Sequence, residues 1–207
     1  MADEWFRSPR WDPEEQAEFE RRLGRARRTS RAQYLRIKGL ALSAAGHNAA
    51  ARSLWLRVLE DPDASIQRWS TLEHLGDLDF DADPDAAEAR YRQLLAEDPT
   101  LNATSRMTEV RLAELLTRRG TPAALAEAWA LLERWRAERH SPFPANHFAW
   151  EVARARWGEA AGRSDIVRDS ARRAIELSTA GSPFPRHPDA GVVRAERVVI
   201  EWLRSRA

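Results

Sequence analysis

The chain has 207 residues, no Cys, and 33 basic against 32 acidic residues, for a net charge of +1. With 43% apolar residues it is too hydrophobic for intrinsic disorder, and it is long enough to bury roughly 70% of its unfolded surface without disulfides or a structural metal. Ala, Arg, Leu, Glu and Lys supply 109 residues and Val, Ile and Thr only 21, which favours helix and excludes a large β-sheet.

Breakers and caps divide the chain into about ten helical segments of roughly 13 to 20 residues. The first follows Asp12-Pro13, where Asp accepts a free backbone N–H and Pro presets φ; it runs to about 28 with Phe19, Leu23 and Ala26 inward. The second covers about 30 to 45, carries Tyr34, Ile37 and Leu42 on its apolar side, and stops at Gly46-His47-Asn48. The third, about 48 to 60, is closed by Asp61-Pro62. The fourth follows to about Leu78 with Ile66, Trp69, Leu72 and Leu75 on one face. Further segments are expected at about 84 to 97, 100 to 119, 122 to 139, 145 to 161, 164 to 180 and 188 to 205, each opened by a capping residue or Pro. Short connections force antiparallel neighbours, so the chain reads as a series of helical hairpins, each too small to bury both its faces alone.

Self-similarity runs through these hairpins. Ala51, Trp55 and Pro62 return as Ala87, Tyr91 and Pro99, while Gly39 and Gly76 precede Ala51 and Ala87 on the preceding helix, where a small residue lets two helices approach. A third unit places Leu112-Ala113 before Leu125 and Trp129, with Trp129 in the aromatic position. Ser141-Pro142-Phe143-Pro144 recurs as Ser182-Pro183-Phe184-Pro185 and marks a longer fourth hairpin from about 145 to 180.

These residues resemble the tetratricopeptide repeat (TPR), with its W-x2-L-G-x2-Y, A-x3-F and P pattern. The best unit is Leu72-x2-Leu75-Gly76-x2-Asp79, Ala87-x3-Tyr91 and Pro99; the one before it reads Leu35-x2-Lys38-Gly39-x2-Leu42, Ala51-x3-Trp55 and Pro62. The resemblance covers about residues 31 to 137 and implies an all-α, right-handed solenoid of antiparallel hairpins, about four repeats long. An aromatic segment and capping helix (1–29) would precede the repeats (30–180), and a linker and capping helix (181–207) would follow them. Trp5, Phe6 and Trp11 are expected to tuck under the first cap. An irregular all-α domain without true repeats is the alternative.

The sharpest local pattern is the run from Asp77 to Glu88. It sets Asp77, Asp79, Asp81, Asp83 and Asp85 in alternation and then Glu88, an oxygen spacing like that of a calcium loop. Against it, Ala82 stands where the sharp turn needs Gly, and Pro84 suits a helix start. The competing reading makes Asp83 the cap of the next helix, with Asp85 and Glu88 in its first turn. No metal is favoured; a calcium-responsive domain using Asp77, Asp79, Asp81 and Glu88 is the alternative, and no cofactor is expected.

Charge is uneven, with an acidic zone over 60 to 98 and Arg clusters at Arg21-Arg22 and Arg25 to Arg28. Glu14, Glu15, Glu18 and Glu20 share that first helix, so a solvated, ion-paired face is expected and an Arg-dependent nucleic-acid binder is the weaker alternative. His47, His74, His140, His147 and His187 form no His-x3-His pair. Glu73, His74 and Asp77 cluster on one helix as a candidate acid–base trio, but no Ser or Cys nucleophile with a paired base accompanies them, so no enzyme is expected. Trp55, Trp69, Trp129, Trp150 and Trp157 fall at helical spacing and read as core.

Binding by shape remains. In a stack of hairpins the first helices line a groove, and Gln33, Arg36, Glu73, Asp77, Arg111, Glu114, Arg118 and Glu151 are the residues expected to face it. The resemblance implies a protein or peptide partner there. Some members of the family grip a terminal carboxylate with Lys and Asn, but Asn48, Asn102 and Asn146 lie at helix starts here, so that clamp is not expected. The lining suggests a partner bearing both signs of charge. No apolar run approaches the roughly 20 residues that cross a bilayer, and Met1-Ala2-Asp3-Glu4 has no secretory character, so no membrane association and a cytoplasmic location are expected.

Overall fold

A computed structural model describes residues 4–64 and 66–207; Met1, Ala2, Asp3 and Ser65 lie outside it, and with them most of the opening tetrapeptide read for a secretory signal. Among the described residues the regular structure is a 3-10 turn (Trp5–Arg7) and ten α-helices, with no strand. The helices are α1 (Pro13–Arg25), α2 (Arg28–Ala44), α3 (Asn48–Glu60), α4 (Ile66–Asp79), α5 (Pro84–Glu97), α6 (Thr108–Arg119), α7 (Pro122–Glu138), α8 (Pro144–Ala160), α9 (Ser164–Ser178) and α10 (Arg197–Arg204). None is long and apolar enough to cross a membrane. The caps act as their chemistry requires: Asp12, Asp83 and Thr121 each accept the N–H three residues on, and each is followed by Pro in the first turn.

The chain forms two compact units, Met1–Ser105 and Arg106–Ala207. In the first, α2 packs on α3 and α4 on α5, α3 meets α4, and α2 lies beside α4. Two glycines set the spacing within these hairpins. A β-carbon at Gly39 would fall inside the Trp55 indole, and one at Gly76 would stand 2.5 Å from Tyr91 Cε1. Both rings are buried and anchored, Trp55 Nε1 donating to the Arg36 carbonyl (3.1 Å) and the Tyr91 hydroxyl to Asp77 (2.6 Å). One core joins Phe19 and Leu23 of α1 to Leu35, Leu42, Leu54, Trp55 and Leu75.

The N-terminal aromatics cover this core. Trp5 lies 5.2 Å from both the Phe19 and Tyr34 rings, Phe6 stacks on Tyr34 at 4.8 Å, and Trp11 meets the edge of Phe19 at 5.9 Å. Beneath them Lys38, the single lysine of the chain, is fully buried. Its ammonium donates to the carbonyls of Ser8 (2.9 Å) and Arg10 (3.1 Å) and to Glu15 (2.9 Å), and sits over the Trp11 and Phe19 rings. Every proton of the ammonium is thereby satisfied.

In the second unit α6 pairs with α7 and α8 with α9, α6 lies beside α8, and α10 closes on α9 through Leu203, which joins Phe148, Val152, Ala171 and Ala174. Trp135 is fully buried, donates to the Arg106 carbonyl (2.7 Å) and stacks 6.2 Å from Trp150.

Three expected segments are shorter in the structure. The first helix ends at Arg25, because extended Ala26 leads into a new helix at Arg28 and Arg31 reaches back to cap the carbonyls of Gly24 (2.9 Å) and Ala26 (3.2 Å). The segment expected from 100 is helical only from Thr108: Leu101, Ala103 and Arg106 take left-handed φ of 53°, 57° and 63°, as fully buried Leu101 is drawn into a cluster with Leu72 and Leu94. The segment expected from 188 is helical only from Arg197; before it, Gly191 turns left-handed and its carbonyl takes the Ala145 N–H (2.9 Å). The expected position of Trp129 also needs correction, while Trp69 packs against the Leu72, Leu94 and Leu101 cluster. Trp69 and Trp129 are half-buried, and α7 buries Ala124, Ala128, Leu131, Leu132 and Trp135, one residue off the stripe containing Trp129, whose ring lies 4.3 Å from Trp157 instead.

Candidate functional site

Four of the expected groove residues lie on α2 and α4: Gln33, Arg36, Glu73 and Asp77. Gln33 is exposed, and one turn on, Arg36 is half-buried. Arg36 Nε donates to Gln67 Oε1 (2.6 Å), and its Nη1 lies 3.4 Å from His74 Nε2. A guanidinium can only donate, so Nε2 is the acceptor and the imidazole is neutral. Burial, and after it the charge of Arg36, lower the His74 pKa to about 4, against a smaller opposing pull from Asp77. The His74 ring lies 5.4 Å from that of Trp55. No carboxylate pairs with Arg36 among the described residues, and burial alone lowers its pKa. Most other arginines in the first unit hold an acid: Arg21 and Arg22 on Glu18, Arg57 on Glu20, Arg68 on Glu97, and Arg28 on Asp63. Much of the expected basic surface is therefore charge-compensated.

Glu73 does not face a groove. It is 4% exposed and turned toward the 101–105 loop, where its carboxylate accepts the Ser105 N–H (2.9 and 3.1 Å) and hydroxyl (2.6 Å). With Glu73 in this loop, His74 on Trp55 and Asp77 on Tyr91, the three do not form an acid–base constellation.

The acidic run is likewise distributed. Asp77 and Asp79 belong to the last turn of α4; buried Asp79 accepts the Arg52 fork, Asp83 caps α5 by accepting the Ala86 N–H (3.1 Å), and Glu88 pairs with Arg92 (2.8 Å). Asp81 is exposed in the turn between. Among the described residues no three His, Asp or Glu side chains converge as metal ligands, so Asp77, Asp79, Asp81 and Glu88 are not brought together.

In the second unit, Glu114 of α6 bridges Arg111 (3.0 Å) and Arg156 of α8 (2.9 Å), and Arg118 is exposed at the end of α6. Glu151 is 5% exposed, a correction to its expected place on an open face. It lies 3.6 Å from Arg154 and 4.0 Å from Arg173, and Arg154 is itself hydrogen-bonded to Asp169 (3.0 Å) and Ser170 (3.1 Å). The pattern reading missed Lys38, Ser105 and Trp135. Only Lys38 carried a signal, as one lysine beside 32 arginines.

The chain matches no protein-family model, no curated protein and no solved structure.

Proposed function

We propose that this protein is a binding module for another protein or a peptide, a cytoplasmic right-handed solenoid of TPR-like hairpins without catalytic residues of its own. One observation carries the reading. Gly39 under Trp55 and Gly76 under Tyr91 build two hairpins in the same way, with their first helices, α2 and α4, side by side. Such hairpins leave a face of first helices that neighbouring units do not seal. On that face Arg36 offers a half-buried guanidinium held by neutral partners, and exposed Asp77 lies one turn beyond His74. A partner with an acidic group for Arg36 and a basic one near Asp77 matches both.

The test is selection of displayed peptides against the full chain. Enriched peptides should carry acidic residues, compete with one another, and bind Arg36→Gln roughly tenfold or more weakly, a loss of about 1.4 kcal/mol, while the variant melts normally. Failure to enrich any peptide above a protein-free control overturns the reading.

A further inference from the structure

The second unit holds a cleft of about 390 Å³ between α7, α8 and α9, at the small end of the range for small-molecule sites. Arg136, Trp150, Glu151, Arg173, Glu176 and Leu177 line it. Its inner wall carries buried Glu151, whose carboxylate is hydrogen-bonded to Ser170 but keeps Oε2 without a hydrogen bond among the described residues, with Arg154 3.6 Å from Oε2 and Arg173 4.0 Å from Oε1. Burial holds the carboxyl above its ordinary pKa in spite of Arg154. The rim carries two guanidiniums beside exposed Glu176. Exposed Arg136 rests over the Trp150 ring at 5.7 Å, and Arg173 shares Asp169 at 3.3 Å. Leu177 and Trp150 add apolar wall.

A simple cation entering this cleft meets two guanidiniums at the rim, and a simple anion meets Glu151 and Glu176. Only a ligand of both signs is favoured at each end. We infer that the cleft binds a small zwitterion with an apolar body, a free apolar α-amino acid, its ammonium toward Glu151 and its carboxylate on Arg136 and Arg173. Guanidinium forks suit carboxylates, and the ammonium restores the compensation that Glu151 lacks. This site is independent of the α2–α4 face.

The test is a titration of the full chain with L-leucine, followed by the Trp150 indole N–H resonance, alongside N-acetylleucine, which lacks the ammonium, and leucinamide, which lacks the carboxylate. Leucine should shift the resonance with a Kd of roughly 1 mM or tighter, and each analogue should bind at least about tenfold more weakly. Glu151→Gln should remove the preference for leucine over N-acetylleucine. Arg136→Gln, at an exposed position, should remove the preference over leucinamide while the variant melts as the natural chain does. No shift with leucine, equal binding of all three compounds, or an unchanged preference in Arg136→Gln overturns the assignment.

Discussion

Gly39 lies directly beneath the Trp55 indole, with no room between them for a methyl group. Trp55 is pinned by its hydrogen bond to the Arg36 carbonyl, so it cannot step back without losing that bond. Gly39→Ala should therefore destabilise the protein by about 1–3 kcal/mol through overpacking, and Gly76→Ala, against Tyr91, by a similar amount. Gly24 is the control. It sits in α1 with nothing near its missing β-carbon, so Gly24→Ala should be neutral or stabilising by about 0.5 kcal/mol. Urea unfolding of the three variants separates close packing from helix propensity.

Lys38 ties the N-terminal segment to α2. Lys38→Met keeps the bulk but leaves the Glu15 carboxylate and the Ser8 and Arg10 carbonyls without their shared donor. Breaking a buried pair from one side costs about 3–5 kcal/mol, and a loss of that order is expected in chemical denaturation. The hydrogen bond from Lys38 is also the main cause that lowers the Glu15 pKa. In Lys38→Met the Glu15 carboxyl should titrate closer to its ordinary value, which carbon-detected NMR reads directly.

Glu73 holds the loop after α5 in its left-handed course. Leu101 and Ala103 each take a conformation that costs about 1 kcal/mol, and the Glu73–Ser105 hydrogen bonds help to fix it. Glu73→Ala should cost about 3 kcal/mol, the scale of losing bonds to a buried carboxylate, and speed amide exchange at Ser105. Normal stability with slow exchange at Ser105 would show that the loop is held without Glu73, by burial of Leu101 and the Ser70 hydroxyl bonded to the Ala103 carbonyl.

The helices were legible wherever a start signal and a breaker bracketed a periodic stripe: α3 runs from Asn48 to the residue before Asp61, without a side-chain cap, and α5 from Asp83-Pro84 to just before Asp98-Pro99. Legibility failed where long-range contacts override local preference. Nothing near Leu101 in sequence announces that it will be buried with Leu72 and Leu94, and Pro99-Thr100 looks like a helix start. Trp129 was misplaced for a related reason. The stripe on α7 is offset by one residue, and a tryptophan at its edge can reach Trp157 as readily as a core. Of the expected site residues, Arg36 is half-buried on α2 and Asp77 is exposed on α4. Glu73 is buried instead, because a carboxylate one step off the apolar stripe can turn inward where donors such as the Ser105 N–H and hydroxyl wait, and Glu151 is buried at the wall of the cleft in the second unit.

His74 gives the protein a pH signature above the carboxylate range. Its pKa is lowered from 6.5 to about 4, first by burial and then by Arg36. The unfolded chain therefore takes up the proton first as the solution is acidified. The contribution of His74 to stability is complete above about pH 6.5 and drains away as pH falls toward 4, by at most about 3 kcal/mol. Unfolding free energies measured between pH 7 and 4.5 should thus fall on acidification in the natural chain and stay flatter in His74→Gln. Arg36→Gln removes one of the two lowering causes and leaves burial. In that variant the ring should titrate between about 4 and 6.5, visible in its imidazole NMR signals. A His74 signal that titrates at its ordinary pKa in the natural chain would place the imidazole in solvent and remove the neutral partner that orients the Arg36 guanidinium.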